Sequence, residues 1–133
     1  MANEITVNYG LAVSRGALKW KYPTNQLLVS MSGVHMVSNV QDFTPTVTGL
    51  NVNGATFSPG YAAFTNLGLT ATGITGTGAA TAYLEIGIMQ SGAFRPFNTL
   101  NSGQIAIGPL STLALFAKAS TGTQGLGFSI LER

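Results

Sequence analysis

The chain has 133 residues, of which 45% are apolar and only 8% charged, against a usual charged share of about 25%. That length fits one domain able to bury a core without metal or disulfide staples, and the lack of cysteine excludes a disulfide framework and thiolate chemistry. No run approaches the ~18 uninterrupted apolar residues of a membrane-spanning helix, and a net charge of +2 is too small to argue for nucleic acid.

Period two runs along the chain, and period 3.6 is almost absent. Ile5, Val7, Tyr9, Leu11 and Val13 alternate with Thr6, Asn8, Gly10 and Ala12, the pattern of a half-buried strand. Ser14-Arg15-Gly16 offers a turn, and Leu18, Trp20 and Tyr22 alternate with Lys19 and Lys21, so residues 1–22 read as a hairpin or projecting arm that Pro23 ends. Leu27, Val29 and Met31 make the next strand, and Gly33 marks a bulge or bend. Val34, Met36 and Val40 share a face, with Phe43 near the strand's end. Asn53-Gly54 is a two-residue hairpin signal, and Pro59-Gly60 is a further turn before a strand from Tyr61 to Leu67.

Gly68–Ala80 is nearly all Gly, Thr and Ala and reads as a long loop. Leu84, Ile86 and Ile88 form a strand that Ser91-Gly92 turns, and Phe94–Phe97 returns with Pro96 marking an edge. Ile105 and Ile107 alternate before a turn at Gly108-Pro109. Leu113, Leu115 and Ala117 read as strand, with a helix from Leu110 to Ala119 as the competitor. After Thr121-Gly122-Thr123, Phe128, Ile130 and Glu132 alternate with Ser129 and Leu131. Eight to ten short strands with frequent turn signals predict a single all-β domain over 1–133, an antiparallel β-sandwich, jelly roll or small barrel.

Residues that carry chemistry are scarce. A Ser-His-Asp triad would need His35 and Asp42, the sole histidine and the sole aspartate, and no G-x-S-x-G elbow is present. The acids are Glu4, Asp42, Glu85 and Glu132, with nothing to pair Asp42 and Glu85 across a cleft and with Glu4 and Glu132 expected in solvent. Metal sites fail for want of ligands. The Gly73–Gly78 run lacks the Lys-Ser/Thr of a Walker A motif and the third glycine of a dinucleotide fingerprint. The expectation is a chain without catalytic residues, metal or cofactor. Half of the six bases, Arg15, Lys19 and Lys21, fall around the first hairpin with Trp20 among them. The lysines point away from Leu18, Trp20 and Tyr22, so one face is basic and the other aromatic. Such a face grips an acidic protein surface or a nucleic-acid backbone, the second being the weaker branch; the alternative is a solvated strand whose lysines protect an edge.

The low charge leaves two readings open, a stable Thr-rich β protein and a chain largely enclosed by other subunits. Met1-Ala-Asn-Glu-Ile-Thr-Val resembles the start of small virion proteins of tailed bacteriophages. So does the series Gly60-Tyr-Ala-Ala-Phe-Thr-Asn-Leu67, Tyr83-Leu-Glu-Ile-Gly87, Phe94-Arg-Pro-Phe97, Leu100-Asn-Ser-Gly-Gln104, Pro109-Leu-Ser-Thr-Leu113 and Leu115-Phe-Ala-Lys-Ala119. The resemblance implies a non-enzymatic capsid decoration (cement) protein on the virion surface, assembled in the host cytoplasm, with the major capsid protein and copies of itself as partners, trimers being the natural number. It assigns no catalytic residues; shell contact is expected at Arg15, Lys19, Trp20 and Lys21. The expanded Gly68–Ala80 loop departs from the pattern. The rival expectations are a tail, head-fibre or connector component, and a carbohydrate-binding module stacking sugars on aromatics such as Trp20, Tyr22, Tyr61 or Phe94.

Overall fold

The computed structural model describes residues 3–15, 18–31, 33, 35–68 and 82–133, with side chains described from residue 33 onward. Its described residues hold ten strands and no helix. The chain divides into two units, Met1–Val34 and His35–Arg133.

The first unit is a two-stranded antiparallel sheet of β1 (Asn3–Arg15) and β2 (Leu18–Met31). The predicted hairpin exists but does not stop at Pro23: β2 runs through that proline as one strand. Between the pairs Leu11↔Tyr22 and Tyr9↔Asn25 the register shifts, with Gly10 facing the two residues Pro23 and Thr24. A bulge is where a strand tolerates a residue without an N–H. The shift also has a patterning reason. Leu18, Trp20 and Tyr22 are even-numbered, whereas Leu27 and Val29 are odd. One inserted residue lets both sets share a face, as the pairs Ile5↔Val29, Val7↔Leu27, Leu11↔Tyr22 and Val13↔Trp20 require.

The second unit contains two four-stranded antiparallel sheets. One has the order β3 (Met36–Phe43), β10 (Gln124–Glu132), β5 (Pro59–Asn66), β8 (Ile105–Pro109). The other has the order β4 (Thr48–Gly49), β9 (Phe116–Ala119), β6 (Tyr83–Gln90), β7 (Ala93–Asn101). Both sheets feed one buried cluster, with Phe43, Phe64, Leu126 and Ile130 from the first and Leu84, Ile86, Leu100 and Ala117 from the second. Removing a side chain such as Ile130 from water is worth about 1.5–3 kcal/mol, and this cluster is the main stabilising term of the unit.

Several local expectations are corrected. Pro59-Gly60 and Gly108-Pro109 are not turns but belong to β5 and β8. The Leu110–Ala119 segment forms no helix, and its strand begins only at Phe116. Asn53-Gly54 does turn, with φ of 52° and 72° and the Ala55 N–H donating to the Val52 carbonyl at 3.0 Å, yet no ladder flanks it. Ser91-Gly92 is the two-residue hairpin, with φ of 51° and 78° between Gln90 and Ala93. β7 is an edge strand, as Pro96 suggested. The Gly68–Ala80 loop lies, from residue 69 on, outside the described residues.

Asn66 joins the two sheets. Fully buried at the end of β5, it donates from Nδ2 to the Leu100 carbonyl on β7 at 2.9 Å. Its Oδ1 accepts from the Gly68 N–H at 2.9 Å. A buried amide is tolerable only when its donor and acceptor are both used, and Gly68, at φ 66°, supplies the bend that brings its N–H round.

Candidate functional site

The predicted contact residues sit at the closed end of the β1–β2 hairpin. Lys19 pairs with Ser14 and Lys21 with Ala12, and the two lysines, two positions apart, share a face. Trp20, paired with Val13, takes the other face together with Arg15, paired with Leu18. Register therefore places Arg15 on the aromatic side and separates it from the lysines. Their side chains lie outside the described ones.

A second site was not legible in the sequence. The start of β3, the end of β10 and the 52–57 loop enclose a cleft of about 600 Å³ lined by His35, Met36, Val52, Asn53, Phe57 and Glu132, among others. The segment that leads into this loop, Gly49 to Asn51, is held against β3 by two amide side chains on the strand's inward face. Asn39 Nδ2 donates to the Asn51 carbonyl at 3.2 Å. Gln41 donates from Nε2 to the Gly49 carbonyl at 3.0 Å and accepts the Asn51 N–H on Oε1 at 2.8 Å. These polar residues stand where the alternation Val37, Asn39, Gln41, Phe43 would otherwise place apolar ones, because what covers them is backbone and not core.

On the cleft wall, Glu132 corrects the expectation that it stands in solvent. Its Oε2 meets His35 Nδ1 at 2.6 Å and accepts the His35 backbone N–H at 3.1 Å, and its own N–H donates to the His35 carbonyl at 2.9 Å. The carboxylate side chain is 22% exposed and the imidazole 66%. The ring stacks on Phe57 with centroids 6.2 Å apart and 13° between planes. Glu132 thereby fixes the tautomer, with Nδ1 donating and Nε2 left as the outer nitrogen.

The pairing of His35 with Asp42 considered from sequence is not formed, since Glu132 holds the imidazole. Ser38, the serine on the cleft wall, bonds to the Phe128 carbonyl at 3.3 Å and to Ser129 Oγ at 2.9 Å. Asp42 and Glu85 lie in different sheets. Glu85 is occupied by Lys118 at 3.0 Å, whose ammonium also stands 5.6 Å from the Phe94 ring centroid. Among the described residues no group of three or more His, Cys, Asp or Glu side chains is placed to hold a metal ion. What the cleft offers chemically is one oriented imidazole, backed by an aromatic ring, with apolar walls and an amide rim.

No protein family, curated protein or solved structure matches this chain.

Proposed function

We propose that this chain is a virion structural protein of a tailed bacteriophage, most specifically a capsid decoration protein: a sandwich-like body that self-associates, as trimers, and clamps the major capsid shell through its N-terminal hairpin. The observation that carries the reading is the hairpin's register. A two-stranded sheet is marginal in water by itself, yet this one keeps its apolar positions on one face along its length by means of the bulge at Pro23-Thr24. Its far face carries Lys19 and Lys21. Such an element gains stability by laying the apolar face on a partner, or by adding its open edges to a partner's sheet, while the lysines meet acidic surface. The 8% charge of the chain and the phage-like motifs support the same partner class.

The test is co-sedimentation of the full chain with purified shells that lack it. The triple substitution Lys19→Glu, Trp20→Ala, Lys21→Glu is expected to abolish shell occupancy. Wild-type occupancy by that variant refutes the hairpin's role, and absence of the chain from purified virions refutes the virion reading altogether.

A second reading, carbohydrate binding, is favoured by the cleft at His35. Its volume of about 600 Å³ lies within the roughly 300–1,000 Å³ of small-ligand sites, and the stacked imidazole offers a flat ring to a sugar. Specific signals on a glycan array that vanish on His35→Ala would select it over shell binding.

A further inference from the structure

An antiparallel sheet with one face on the core normally turns polar residues to water. The sheet β3-β10-β5-β8 does so only in part. Three cross-strand rows of its outward face follow from the register: Met36, Leu131, Tyr61, Pro109; then Ser38, Ser129, Ala63, Ile107; then Val40, Gly127, Thr65, Ile105. Not one of these twelve residues is charged; a fourth row, Asp42 with Gly125, closes the face at one end with an exposed carboxylate. Both edge strands present large apolar side chains to solvent, Met36 at 62% exposure and Val40 at 46% on β3, Ile105 at 62% and Ile107 at 53% on β8. The middle strands present Leu131 and Tyr61 in the first row and the smaller Ser129, Gly127, Ala63 and Thr65 in the next two. Over the second and third rows the face is a trough of small residues between two apolar ridges.

The other sheet also exposes apolar residues, Tyr83, Met89 and Phe97. At its centre, however, it carries the Glu85–Lys118 ion pair in one row with Thr99. That row suits water; in the first sheet the charged row, that of Asp42, lies at one end and the three rows beside it carry no charge.

We infer that the outward face of β3-β10-β5-β8 is the surface on which copies of this chain associate. The inference deepens the self-association named under the proposed function and rests on that part of it. Three considerations select a second copy as the occupant. The first is area: eight residues of β3 by four strands span about 27 Å by 19 Å, or about 500 Å² in plan with the end row of Asp42 included. That is over half of the ~800 Å² each partner contributes to a stable interface, before the relief of the ridges is added. The second is charge. Interfaces with changing partners are as polar as ordinary surface, whereas contacts between identical subunits are depleted in charge. With no cation in the three rows, the face lacks what phosphate backbones or lipid headgroups require. The third is shape: a ridge-and-trough profile is complementary to its own copy, since the β8 or β3 ridge of one subunit fits the small-residue floor of another.

The experiment is native mass spectrometry and sedimentation of the full chain, a 13.8 kDa monomer, with the double substitution Val40→Lys, Ile107→Lys. Wild type is expected to run as a closed multi-copy species and the variant at monomer mass with an unchanged circular dichroism spectrum. If the lysines unfold the sheet, the milder pair Met36→Thr, Ile105→Thr is read in the same way, with weakened association expected. Thr99→Lys, on the other sheet, is expected to leave the oligomer intact. A monomeric wild type overturns the inference, and so does a folded face variant that keeps the wild-type mass or a Thr99→Lys protein that dissociates as fully. Shell co-sedimentation reports separately on the hairpin, so failure of the shell reading and failure of this one are distinguishable.

Discussion

Replacing Asn66 by alanine removes the side chain that ties β5 to β7. Two bonds are lost, and the groups left behind differ in their access to water. The Leu100 carbonyl belongs to a residue only 4% exposed, so it is left without the Nδ2 donor that held it at 2.9 Å. An unmet buried acceptor costs about 1–3 kcal/mol. The Gly68 N–H is half-buried and recovers part of its loss from solvent, adding about 0.5–1 kcal/mol. The space vacated in a site with no exposure contributes a further fraction of a kcal/mol. The sum is a destabilisation of about 2–4 kcal/mol, which for a unit of this size lowers the melting temperature by about 10–25 °C. Thermal and urea unfolding followed by circular dichroism would measure it. Asn66→Asp separates the two bonds, because a carboxylate still accepts from Gly68 but turns an acceptor toward the Leu100 carbonyl. It should destabilise at neutral pH at least as much as alanine does. A loss below about 1 kcal/mol for Asn66→Ala would show that the inter-sheet bond is replaceable by water and refute the reasoning.

Two further substitutions probe the β6–β7 hairpin. Gly87→Ala would place a methyl 2.1 Å from the Arg95 carbonyl oxygen and 2.7 Å from Pro96 Cα, so the bulge at Ile86/Gly87 must open. A destabilisation of about 1–3 kcal/mol is expected in urea unfolding, and a neutral result would mean that β7 slides freely at Pro96. Ser91→Asn should stabilise by about 0.5–1 kcal/mol, because Ser91 holds φ at 51° beside Gly92 and Asn-Gly is the pair best suited to that turn; a lower denaturation midpoint in the variant would contradict it.

Strand existence was largely legible, because period two survives in β1, β6 and β10 and turn residues punctuate it. What failed at Pro23 was the inference from a missing N–H to a strand end. The needed signal was nonetheless present: the apolar set changes parity between Tyr22 and Leu27, which a continuous strand accommodates only with an inserted residue. The cleft at His35 was not legible. Its two principal groups are 97 residues apart in sequence and meet because β10 runs antiparallel to β3, a pairing that no local pattern announces. Asn39 and Gln41 gave a partial signal as polar residues at inward parity, and they mark the stretch of β3 that a loop covers.

Ile105 and Ile107 teach the most about function. Their alternation is real and β8 is a strand, but the phase runs opposite to the ordinary rule. The isoleucines face outward, while Ala106 between them packs against the core. Met36 and Val40 on the opposite edge of the same sheet face outward likewise, with Val37 inside. Phase assignment from sequence assumes that one face of a strand meets water. Where a strand has apolar residues on its outward face and small ones inward, the assumption inverts the register. Such an inversion costs stability in an isolated subunit, since each outward isoleucine forgoes about 1.5–3 kcal/mol of burial. It costs nothing once a second surface covers the face. Strands that carry large apolar residues outward are therefore those expected to be covered from both sides, and here two that do so, β3 and β8, border one sheet.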